Sequence, residues 1–273
     1  MYCQCLNRNS RGFTLVELVI VIIMLAILGV AVTNYIGFGT LLYRDVAERE
    51  EILASARFSI ERLNREVRAS LPNSQQTSND GNCLRFVPVL DSSTYVDFPI
   101  SPNVASDNGS LIAFNQYQFS PNQGQQISVY NLNASDIYSF TPTSLVGVKS
   151  YTPPSSGNIA SLEFTSTIRF PLASPSQRVF VVARPVQYCV SNGQLTRTVS
   201  SWPTETGVPN ISSLMAENIT VLNATDPNFQ PVFEVIEADL SRNGMVKIFL
   251  NFSRDGGAES LVFHHGIHIQ NVP

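Results

Sequence analysis

Charge is scarce in this chain: Asp, Glu, Lys and Arg make up 14% of its 273 residues, and 17 basic residues face 21 acidic ones. A net charge of −4 and the lack of any basic patch exclude the electrostatic footprint of a nucleic-acid binder. Glutamate is missing from Val67 to Leu162, where Ser, Asn, Gln, Thr and Pro crowd the sequence. That composition fits an extracytoplasmic, β-rich domain better than a cytosolic enzyme. There is no G-x-S-x-G, no phosphate-binding loop and no cysteine with a plausible catalytic histidine nearby. Scattered Ser, His and Asp define no site without geometry, so a non-enzymatic role is expected, with no cofactor and no metal.

Cysteine is limited to four residues in two groups. Cys3 and Cys5 precede the first apolar run, on the side expected to be reducing. Cys83 and Cys189 follow it, and in an oxidising compartment each has only the other as a partner. Two buried free thiols are the alternative. Tryptophan occurs once, at Trp202 in the turn-rich stretch SSWPTETG. That loop reads as exposed, with its indole either packed on the surface or available to stack on a sugar.

What the chain does have is one long hydrophobic run. RGFTLVELVIVIIMLAILGV, residues 11–30, holds a single acid, Glu17. Phe13 to Ile36 is long enough to cross a bilayer, for which about 20 apolar residues suffice. Arg8 and Arg11 precede it and place the N-terminus in the cytoplasm. A charge in hydrocarbon costs several kcal/mol unless it is matched, so Glu17 marks function. An uncleaved anchor whose Glu17 snorkels to the interface is the plainer alternative.

Gly12, Phe13, Thr14, Leu15, Val16 and Glu17, followed by the apolar run, resemble the type IV prepilin signature G-F-T-L-x-E. The resemblance implies leader cleavage between Gly12 and Phe13 by the prepilin peptidase, then N-methylation of Phe13. It also implies that Glu17 is the assembly charge, paired in a filament with the Phe13 amine of a neighbouring subunit. The resulting division is a leader over 1–12, a transmembrane helix and assembly segment over 13–36, an amphipathic continuation over 37–71 and a β-rich head over 72–273.

In the continuation, Val46, Leu53, Ile60 and Val67 recur every seven residues, with Ala56 and Leu63 between them. Glu48, Glu51, Arg57, Glu61, Arg65 and Arg68 lie opposite. This stripe is expected to pack under a sheet of the same chain. Pro72 should end the helix, and Gly37 and Gly39 suggest a bend or melted turn.

Beyond Pro72, strands are expected over 84–90, 111–119, 126–132 and 161–170. A hairpin over 178–200 should turn at Asn192-Gly193, with Val186, Tyr188 and Val190 on one face and Cys189 on the other. A closing pair or trio of strands should include a tight turn at Asn243-Gly244. His264, His265 and His268 fall on a strand, which puts His265 on the opposite face from the other two and favours ordinary sheet residues over a zinc site. The expected architecture is α+β: a long N-terminal helix, transmembrane then amphipathic, packed on a C-terminal antiparallel β-rich head.

The run SPSQRVFVVARPVQYCVSNGQLTR, the ending HIQNVP and the overall length resemble minor pilins of the mannose-sensitive haemagglutinin (MSHA) pilus. The hairpin also resembles the larger minor pseudopilin of type II secretion. Both resemblances imply the same partners: other major and minor pilins, the prepilin peptidase and an inner-membrane assembly platform. The head would be periplasmic before assembly and on a surface pilus afterwards. Resemblance to MSHA minor pilins implies a subunit that primes or caps the fibre; a pseudopilin, or a tip adhesin that binds glycan, is the alternative.

Overall fold

Gly12, Phe13 and Thr14 precede an α-helix, α1, that runs from Leu15 to Arg68. The computed structural model describes residues 12–114, 117, 123–221, 229–238, 243–254 and 259–269. Arg8, Arg11, Cys3, Cys5 and the final QNVP therefore lie outside the described residues. The chain divides into two compact units, Met1–Leu53 and Ala54–Pro273.

In the first unit, α1 is apolar and exposed along the span Leu15–Ile36, with a mean hydropathy of 3.1 in its most apolar window and none of that window buried. Helical hydrogen bonding runs through Gly37 and Gly39. The expected melted turn is not there, because a glycine in mid-helix costs only about 1 kcal/mol, which flanking turns can absorb.

In the second unit, the last turns of α1 bury Ala56, Ser59, Leu63 and Val67. This seam has helical spacing and corrects the heptad: Val46 is 55% exposed, and Leu53 and Ile60 are only half-buried. A strict seven-residue repeat drifts by about 20° per heptad around a straight helix, so it suits a supercoil rather than packing on a sheet. The helix ends before Pro72, as expected.

The strands in order are β1 Gln76–Thr77, β2 Cys83–Phe86, β3 Val89–Asp97, β4 Ser106–Ile112 and β5 Gln126–Ser128. A four-residue helix, α2 Ser135–Tyr138, precedes β6 Leu145–Thr152, β7 Ile159–Ile168, β8 Arg178–Val182, β9 Val186–Ser191 and β10 Gln194–Val199. The last four are β11 Ile211–Ala216, β12 Phe233–Ile236, β13 Met245–Arg254 and β14 Glu259–His268. They form a five-stranded sheet β1-β2-β9-β10-β11, a three-stranded sheet β12-β13-β14 and a closed barrel β3-β4-β7-β6-β5-β8. All strand-to-strand pairs are antiparallel. The α+β expectation holds, although nothing in the sequence reading anticipated the closed barrel.

The barrel is filled by inward residues that alternate along its strands, such as Ala160, Leu162 and Phe164 on β7. Its aromatic centre joins Tyr95, Phe98, Phe164 and Phe170, with ring centroids 5.3–6.5 Å apart. Gly109 makes room for that cluster, since a Cβ there would lie 2.8 Å from Phe98 and 2.9 Å from Phe164. Strand β8 reads RVFVV because it is apolar on both faces: Val179 and Val181 enter the barrel, while Phe180 and Val182 join a second core with Leu71, Val87 and Trp202.

Strand boundaries differ from expectation in several places: the 126–132 strand is β5 and stops at Ser128, and the 161–170 strand is β7, Ile159–Ile168. The 84–90 segment is split between β2 and β3 around Val87-Pro88, where proline cannot donate to a ladder. The 111–119 strand is instead β4, which ends at Ile112; most of residues 115–122 lie outside the described residues. Asn243-Gly244 is no two-residue turn. Ile236 pairs with Met245, so Asn243 and Gly244 lead directly into β13 and do not by themselves join it to β12. The hairpin at Asn192-Gly193 is as expected, with φ of +50° and +76° and Ser191 opposite Gln194.

Candidate assembly segment and its supporting clamp

Thr14 has the residue type and position of a helix N-cap. The Glu17 backbone N–H donates to Thr14 Oγ1 at 3.3 Å, and Leu18 N–H donates to the Thr14 carbonyl at 3.2 Å. Thr14 and Glu17 thus stand at the N-cap and N3 positions of a T-x-x-E capping box. A carboxylate in the first turn is also favoured by the positive end of the helix dipole. Glu17 is exposed, and Gly12 and the 79%-exposed Phe13 precede the helix. Glu17 is the one charged side chain in a span of exposed Leu, Val, Ile and Met. The arrangement offers an acid at the base of an apolar rod, one turn from Phe13.

A second constellation lies within the head unit. Glu66, on the last turns of α1, accepts hydrogen bonds from Arg197 Nε at 3.1 and 2.9 Å, one to each carboxylate oxygen. Arg62 Nε donates to Glu66 Oε1 at 3.0 Å, and the Tyr188 hydroxyl donates to Glu66 Oε2 at 3.1 Å. The Glu66 and Arg197 side chains are 18% and 17% exposed. Burial pushes the Tyr188 hydroxyl above its ordinary range, and the Glu66 charge adds to that shift. The hydrogen bond to Glu66 also raises the Arg62 guanidinium. The cluster ties the helix to the β9–β10 hairpin, where Tyr188 and Arg197 are direct cross-strand partners.

Sequence reasoning missed Glu66. The signal was present: Arg197 sits between Leu195 and Val199 on the hairpin's helix-facing side, and a cation there requires a buried anion. Arg62 and Glu66 are also spaced i, i+4.

Cys83 and Cys189 are direct cross-strand partners on β2 and β9, with Cα atoms 4.1 Å apart and sulfurs at 2.13 Å. Val186, Tyr188 and Val190 point into the core and Cys189 to the other face.

Trp202 corrects the exposed-loop reading. It is 1% exposed, lies in the core with Leu71 and Phe180, and donates its indole N–H to the Gly124 carbonyl at 2.7 Å. Turn-forming neighbours describe the backbone and say nothing about how deep a side chain goes. The histidines alternate on β14: His264 and His268 are exposed, with His264 edge-on to Phe249 at 6.0 Å, and His265 is on the face of buried Ile267.

Compared with known proteins, residues 7–33 match the prokaryotic N-terminal methylation motif, a type IV pilin-like signal. No curated protein and no solved structure matches the chain. The motif supports a type IV pilin-like or pseudopilin-like protein, and suggests a structural rather than an enzymatic one. It implies processing by a prepilin peptidase and assembly with other pilins. Together with the apolar helix it fits a membrane-anchored pilin.

Proposed function

We propose that this protein is a minor type IV pilin that primes or caps an MSHA-type pilus, resembling the minor pilin MshO. Its leader is cut between Gly12 and Phe13, and the new Phe13 amine is methylated. Glu17 then pairs with the Phe13 amine of an adjoining subunit. Apolar helices packed in a bundle offset extraction from lipid, and the ion pair sets axial register. The observation that carries this reading is the lone exposed acid at N3 of α1, the one charged side chain between Leu15 and Ile36, inside the matched motif. A large head beyond Pro72 favours a place at the end of the fibre, since such a domain is hard to repeat along a shaft. Immunogold label at pilus ends is expected, and label along the whole shaft would contradict it.

Mass spectrometry of the protein isolated from envelopes tests the processing. The expected mature terminus is N-methylated Phe13, and an intact initiator methionine sinks the proposal. Glu17→Ala should leave cleavage intact but remove the subunit from sheared pili. Loss of surface pili on deletion supports the pilus role; loss of secreted enzymes with pili intact points to a secretion pseudopilin instead.

A further inference from the structure

The outer surface of the barrel carries a cleft of about 570 Å3, formed where the starts of β5 and β6 meet the end of β7. Gly147 and Thr165 line it, and both alternate with inward core residues (Val146, Val148 and Phe164), so they stand on the barrel's outside. Thr165, Ser166 and Thr167 are all exposed, and Gln126 and Thr204 add further uncharged polar groups. Phe140, 82% exposed, also lines the cleft and belongs to neither the barrel core nor the second core. Among the described residues one charged side chain lines the cleft, Glu205, and its carboxylate is held by Arg184 at 2.9 and 3.0 Å. Gly147 keeps the floor low, because a Cβ there would lie 2.7 Å from Thr165 Oγ1.

These features select a ligand class. Walls of hydroxyl and amide groups both donate and accept hydrogen bonds, as a polyhydroxylated ligand requires. An exposed ring offers an apolar face for the C–H side of a sugar, where its area is hydrophobic and rigid. The volume lies within the range of about 300–1,000 Å3 usual for small-ligand sites. An acidic ligand would meet no cation among the described residues that line the cleft. A peptide adding itself as a strand would need an open sheet edge, and the barrel is closed. We propose that this cleft binds a neutral glycan, with Phe140 as the stacking platform and Gln126, Thr165 and Thr167 as hydrogen-bonding partners. It takes over the role that the sequence offered to Trp202, whose buried indole cannot perform it. Only its display at a cell surface rests on the filament reading; binding itself does not.

The test uses the full chain in detergent micelles and saturation-transfer NMR with four probes: triacetylchitotriose, maltotriose, mannotriose and, as an acidic control, trigalacturonate. At least one neutral trisaccharide should receive saturation and trigalacturonate none. Phe140→Ala should weaken that binding about tenfold or more, while Phe140→Trp retains it. At 82% exposure the ring can be removed without opening a core. A strain carrying Phe140→Ala should still display pili. The proposal is overturned if no neutral probe binds, if Phe140→Ala binds as well as the parent, if trigalacturonate binds equally, or if pili disappear with Phe140→Ala. Failure of the filament reading shows separately, in the identity of the mature N-terminus.

Discussion

Tyr188 shows how one side chain makes the head sensitive to pH. Its ring is fully buried and its hydroxyl donates to Glu66, so the folded protein holds that proton more tightly than the ordinary value of 10.0. Below pH 10 the folded and unfolded chains both keep the proton, and the stabilisation is fully present. As pH rises above that value the unfolded chain loses its proton first, so stability falls until the folded group also ionises. Denaturant titrations at pH 8 to 11 should therefore show a falling midpoint, and Tyr188→Phe should flatten that fall. The same substitution should cost about 1–3 kcal/mol at neutral pH through the lost hydrogen bond to a charged acceptor. Glu17 is a second residue whose surroundings define it. At N3 of α1 it is favoured by the cap and the dipole, while its apolar neighbours make a charge there costly in lipid.

Among the elements, α1 and the β9–β10 hairpin are held by both an apolar seam and a charge cluster. Leu63 and Val67 supply burial, and Ser59 turns its hydroxyl between the Ser55 and Met215 carbonyls at 2.8 Å each. Burial alone would let the helix slide along its axis, whereas the two-oxygen grip of Arg197 on Glu66 fixes one register. Glu66→Ala strands Arg197 in a site only 17% exposed and should cost about 3–5 kcal/mol, read by urea denaturation. Replacing both Glu66 and Arg197 with Met should recover much of that loss, because no charge is then left buried. If the single and double variants are equally unstable, the cluster is not the source of the effect. The hairpin itself was readable beforehand: Asn192-Gly193 supplies the two positive φ values, and alternation then puts Tyr188 opposite Arg197. Glu66 escaped because it belongs to a distant segment of sequence, and its role exists only once helix and hairpin meet.

For the whole molecule, the Cys83–Cys189 bond joins positions 106 residues apart across neighbouring strands of the five-stranded sheet. The loop it closes contains the entire barrel, from β3 through β8. Cys83→Ser with Cys189→Ser should lower head stability by about 2–5 kcal/mol, and reductant should do the same to the parent protein, as followed by thermal melting. An unchanged melting temperature would show that sheet and barrel hold without it. The sequence by itself determined the long apolar run, the lone acid at Glu17, the order of helix then strands, and the tight turn at Asn192-Gly193. Each of these is local: hydropathy and turn geometry act within a few residues. Only the tertiary structure decided that six strands close into a barrel, that Trp202 is core, that Ser59 joins Ala56, Leu63 and Val67 in the seam while Val46 stays exposed, and that Glu66 meets Arg197. Those outcomes depend on which faces meet across long stretches of chain, and alternation within one strand does not say what will cover it.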